Sequence, residues 1–141
     1  MGKRRKKYNN IKLTGRFIAL PFNMFESPNY KTLSNGARDV LSLFKHRFNG
    51  GNNGEIHLTA REIQKWYGFG ISTAHSKLVE LYERGFIKPN KFGHFTNKKG
   101  TTWILTFESF GVTPPTNEWR GYDEKQKKVP NIEPYSSLDR T

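Results

Sequence analysis

Residues 59–87 read TAREIQKWYGFGISTAHSKLVELYERGFI, and the fold turns on this stretch. Thr59 followed by Glu62 is a capping box, in which each side chain accepts the other residue's backbone N–H at a helix start. A helix over about 60–67 then turns Ile63 and Tyr67 inward. Gly68 ends it, where a tight turn needs a residue tolerant of positive φ. Phe69 fills the angle, and Gly70 opens a second helix over about 71–84. On that helix Ile71, Ala74, Leu78, Leu81 and Tyr82 share one face, and the small Ala74 lets the two helices approach closely.

The opposite face of the second helix carries Ser72, Ser76, Val79 and Glu83, flanked by Thr73 and His75. Small, weakly polar side chains suit the front of a helix that enters a major groove and hydrogen-bonds to base edges. The order of apolar residues, Gly68 and Ala74 is helix-turn-helix spacing. Downstream, residues 86–92 form a strand that Pro89 confines to an edge or an end. In the returning strand Trp103, Leu105 and Phe107 alternate with Thr102, Ile104 and Thr106. The loop between them, from Gly93 to Gly100, is polar and basic, as a wing is.

Upstream, Phe17-Ile18-Ala19-Leu20 is a short apolar run ended by Pro21. A turn or short helix around Asn23–Glu26 follows and is broken by Ser27-Pro28. Ser34 then caps a helix running to about Phe48, with Leu33, Ala37, Val40, Leu41, Phe44 and Phe48 on one face. Asn49–Gly54 is a turn, and residues 55–58 form a short strand. The expected fold is α+β, a winged helix-turn-helix with a three-helix core and a β-hairpin wing.

Three zones divide the 141 residues: a basic arm (1–16), the winged helix-turn-helix domain (17–111) and a Pro-rich, charged, irregular tail (112–141). The formal charge of +12 is unevenly spread. The arm holds seven bases and no acid, the middle twelve bases against seven acids, and the tail five of each. A polyanion binder concentrates its excess in this way, and no amphipathic helix accompanies the arm to favour a membrane surface. No apolar stretch is long enough for a transmembrane helix or for the core of a signal peptide. With no Cys, the chain has neither disulfides nor thiolate metal sites, and the expected location is the cytoplasm, in association with the nucleoid.

Residues 55–107 resemble the winged helix-turn-helix superfamily. A longer span, about 17–119, resembles a family of small winged-helix proteins from bacterial prophages, plasmids and integrated elements. The resemblance rests on FIALP at 17–21, SP at 27–28, LS at 33–34, AR at 37–38 and RFNGGNNGEIHL at 47–58. ERGFI at 83–87, TTWILT at 101–106 and PPTNEW at 114–119 complete it. Lys77 stands where that pattern has a small residue, and Gly70 where it has Ser or Thr. The resemblance implies DNA binding, in transcriptional regulation or in replication of a mobile element.

The expected partner is double-stranded DNA. Ser72, Thr73, His75 and Ser76 are the candidates for base edges. Arg61, Lys65, Lys77, Lys98 and Lys99 are the candidates for phosphates, joined by Lys3, Arg4, Arg5, Lys6 and Lys7 of the arm. Each assignment has a plainer alternative: a solubilising arm, an ordinary charged hairpin tip, or a scaffold whose basic patch meets an acidic protein. Trp66 is read either as a contact to sugar-phosphate or a partner, or as core; Trp119 either docks back onto the domain or anchors a partner. A homodimer through helix 34–48, the N-terminal segment or the tail stays open, as does a replication or regulatory protein bound by the tail. No metal, cofactor or catalytic role is expected. His46, His57 and His94 lack ligand spacing, the loop at 49–54 lacks a phosphate-binding Lys-Ser/Thr, and the acids are dispersed.

Overall fold

Side chains that satisfy first-turn N–H groups set most of the helix starts in this chain. The computed structural model describes residues 15–91 and 100–121 and is α+β, with five α-helices and one three-stranded antiparallel sheet. Helices α1 (Phe22–Phe25) and α2 (Pro28–Lys31) are single turns. Ser27-Pro28 was expected only to break a helix. It ends α1 and also starts α2, with the Ser27 hydroxyl accepting from the Tyr30 N–H and Pro28 at the first helical position, where its missing N–H is not needed.

The longer helices are α3 (Asn35–Arg47), α4 (Ala60–Tyr67) and α5 (Ile71–Glu83). Ser34 caps α3 by accepting from the Ala37 N–H at 3.2 Å. Both halves of the Thr59–Glu62 capping box are present on α4. Gly68 ends α4 with φ at 75° and Gly70 is the N-cap of α5, so a left-handed turn joins the two helices. Tyr67 and Phe69 stack across that turn with ring centroids 5.6 Å apart.

The sheet contains β1 (Ile56–His57), β2 (Ile87–Lys91) and β3 (Thr102–Leu105), in the order β1-β3-β2. Ile56 lies opposite Trp103 and Ile87 opposite Leu105. Pro89 sits on the outer strand β2, the position its missing donor allows, and the register shifts between Pro89 and Lys91. Residues 92–99, which connect β2 to β3, lie outside the described residues.

One apolar core joins the inner faces of α3, α4 and α5 to the sheet. Ala37, Val40, Phe44, Ile63, Ala74 and Leu81 are fully excluded from solvent, and Phe44 meets Trp103 edge to face at 6.0 Å. Several positions depart from the periodic reading, among them Val79, which was expected opposite the buried stripe of α5 and is partly buried against the core. Leu43 is buried although it lay off the expected face of α3. Thr106 is buried because its hydroxyl donates to the Gly85 carbonyl at 2.6 Å. Ile71, the first residue of α5 and expected on its buried face, is 39% exposed. The tail also contributes: a 3-10 turn at Glu118–Gly121 places Trp119 flat against Phe86, with centroids 6.1 Å apart and planes 5° from parallel. Of the two readings of Trp119, docking onto the domain is the one observed.

Candidate nucleic-acid interface

The outer face of α4 and the N-terminal half of α5 present adjoining polar surfaces. With Ala60 and Ile63 buried, helical spacing puts Arg61, Gln64 and Lys65 in solvent. On α5 the buried stripe of Ala74, Leu78, Leu81 and Tyr82 leaves Ser72, Thr73 and Ser76 exposed. The first turn of α5 contains no acid, and Gly70 supplies no side-chain cap. Of the acids on these two helices, Glu62 is paired with Arg47 at 2.7 Å and Glu80 is bonded to Ser34, while Glu83 is exposed at the far end of α5.

The candidate side chains fall into four groups. Ser72, Thr73 and Ser76 lie together in solvent, whereas His75 is half-buried. The Ser76 hydroxyl donates to the Thr73 carbonyl at 2.7 Å, so in this rotamer it offers lone pairs outward rather than a proton. Arg61 and Lys65 lie together on α4. Lys77 is placed differently: its aliphatic chain covers Gly36 of α3, where a Cβ would approach Lys77 Cε to 2.8 Å, and its ammonium lies 3.9 Å from Glu80. Lys98 and Lys99, and Lys3, Arg4, Arg5, Lys6 and Lys7, lie outside the described residues.

Several contacts hold α4 at this angle. The Tyr67 hydroxyl donates to the Asp39 carbonyl of α3 at 2.8 Å, and burial, helped by the Asp39 carboxylate, pushes the phenol's pKa up. Arg47 donates both to Glu62 and to the His57 carbonyl. Sequence reading did not bring out the cleft beside these contacts, where the end of α3, β1 and α4 converge. Its volume is about 350 Å³, and His46, Arg47, His57 and Trp66 line it. Trp66 is 54% exposed and meets His46 at 5.4 Å. The one signal in the sequence is the place of Trp66, at the edge of the Ile63 face of α4.

Among the described residues no helix is long and apolar enough to cross a membrane, and no three His, Asp or Glu side chains group as a metal site. Comparisons with protein-family models, with curated proteins and with solved structures find no match to this chain.

Proposed function

We propose that this chain binds double-stranded DNA as a winged helix-turn-helix protein. In this reading α4 and α5 are the helix-turn-helix, α5 enters the major groove, and the β2–β3 connection is the wing. One observation carries the reading: a left-handed turn at Gly68 joins α4, with Arg61 and Lys65 exposed, to a half of α5 that holds no acid and exposes three hydroxyls. Ser72, Thr73 and Ser76 read base edges; Ser76, as an acceptor, favours the exocyclic amines of adenine or cytosine. Arg61 and Lys65 bind phosphates, and the cations of residues 3–7 with Lys98 and Lys99 add sequence-independent affinity. Lys77, committed to Gly36 and Glu80, contributes less than either. Regulation of transcription in a mobile element is the role the sequence resemblance suggests.

The test is a salt titration of binding to random duplex DNA, single-stranded DNA and duplex RNA, followed by selection from a random duplex pool. Preferential, salt-steep duplex binding with an enriched motif is the expected result. The R61A/K65A double variant then lowers the salt slope by about 2, while K77A leaves it nearly unchanged. Ser76→Ala changes preference between sequences by about 1–3 kcal/mol. If duplex DNA is bound no better than the other two, the reading fails, and equal or negligible binding to all three points instead to an acidic protein partner.

A further inference from the structure

We infer that the cleft between α3, β1 and α4 takes an unpaired nucleobase from a single-stranded nucleic acid, stacked on Trp66. The inference goes beyond duplex binding, in which Trp66 has no part. Of the three tryptophans, Trp103 and Trp119 are 1% and 3% exposed, whereas Trp66 leaves more than half its surface in water. Its position is held from both sides: Glu62, one turn earlier, is fixed to Arg47, and Tyr67, the next residue, is bonded to the Asp39 carbonyl. His46 props the indole by a tilted ring contact, so the exposed ring is a rigid platform rather than a loose surface side chain.

The chemistry around the platform suits a base with its phosphodiester. A flat π-face in water is covered best by another flat ring, and every base supplies one. Lys65 and Arg61, exposed on the same helix, can take the flanking phosphates. Glu55 lines the cleft, where a carboxylate repels phosphate and accepts a hydrogen bond from a base N–H. The about 350 Å³ of the cleft accommodates one base at a time.

Trp66 is its own reporter, because the other two indoles are shielded. The full chain is titrated with oligo(dT), oligo(rU) and a blunt random duplex while tryptophan emission is followed. Labelled oligonucleotides give affinities for the W66A and W66F variants. Saturable quenching by either single strand is expected; the DNA and RNA arms show which backbone is preferred. Single-strand affinity falls about 10-fold in W66A and within about 3-fold in W66F, which keeps a stacking ring. Duplex affinity stays within about 2-fold in both, and unchanged thermal melts show that the exposed site is not needed for folding. Single-strand binding without duplex binding supports this site and sinks the duplex proposal. Single-strand affinity unchanged in W66A, or quenching by neither single strand, overturns the inference and leaves the cleft to a protein side chain.

Discussion

The Glu80 carboxylate of α5 accepts two hydrogen bonds from Ser34, the N-cap of α3: from its backbone N–H and from its hydroxyl, both at 2.7 Å. The same hydroxyl oxygen accepts from the Ala37 N–H, so one serine both starts α3 and ties it to α5. A negative charge at the N-terminus of α3 is also favoured by the helix dipole.

Removal of either partner should therefore loosen the helix pair. Glu80→Ala is expected to lower stability by about 1–3 kcal/mol, and Ser34→Ala by about 1–2 kcal/mol. Urea unfolding of the single and double variants closes the cycle. A coupling of about 0.5–3 kcal/mol is expected; strict additivity would show that the two residues do not support each other.

Gly85 and Gly68 both have positive φ, at 82° and 75°, but their surroundings differ. A Cβ on Gly85 would meet the Glu118 carbonyl carbon and the Trp119 nitrogen at 2.8 and 2.9 Å, and backbone cannot rotate away. Around Gly68 there is nothing within 4 Å. Gly68→Ala is expected to lose about 1–2 kcal/mol from backbone strain alone, and Gly85→Ala distinctly more. Equal shifts in urea midpoint would contradict the close packing of the 118–119 segment on Gly85.

Trp119 anchors that segment. It stacks on Phe86, and its carbonyl accepts from the buried Asn29 side chain of α2. Lys88 pairs with Glu118, and the Asn117 N–H donates to the Thr106 carbonyl at 2.8 Å. Trp119→Ala should cost about 3–5 kcal/mol, read as a lower thermal midpoint. An unchanged midpoint would mean that residues 114–121 are dispensable for the fold.

Burial holds the Glu108 carboxyl above the 4.5 of an ordinary glutamate, and the Lys45 ammonium only partly offsets this. A folded-state pKa above the unfolded value means that the folded chain keeps the proton longer. The contribution is full below pH 4.5 and is lost as pH rises through the folded value. Lys45 is shifted down by burial against the opposing pull of Glu108. Wild type should thus lose stability relative to Glu108→Gln as pH rises from the acid side toward neutrality. A difference between the two that does not vary with pH would refute this.

Much of the helical frame was legible because its signals are local. Ser34, the Thr59–Glu62 box, Gly68 and Gly70 act within one turn of their own positions, and each stands where expected. Burial of Ile63, Ala74, Leu78 and Leu81 follows the helical repeat. The candidate site was legible in its composition, since Ser72, Thr73 and Ser76 fall opposite the buried stripe and Arg61 and Lys65 opposite Ile63. It was less legible in its contacts. Lys77 looks as available as Lys65 along the chain, and only the approach of α3 lays its aliphatic chain over Gly36.

By itself, then, the sequence determined where the three longer helices begin and end to within a residue or so, that the Pro89 strand lies at an edge or an end, and that the cations outnumber the acids by twelve. These follow from caps, side-chain periodicity, the missing donor of Pro89 and simple charge. Only the tertiary structure decided that Trp119 belongs to the core, that Ser34 and Glu80 meet, and that His46 and His57 from separate elements share a cleft with Trp66. Those relations join residues far apart in the chain, and no local propensity encodes them. They are set when α3, α4, α5 and the sheet exclude water from one common core.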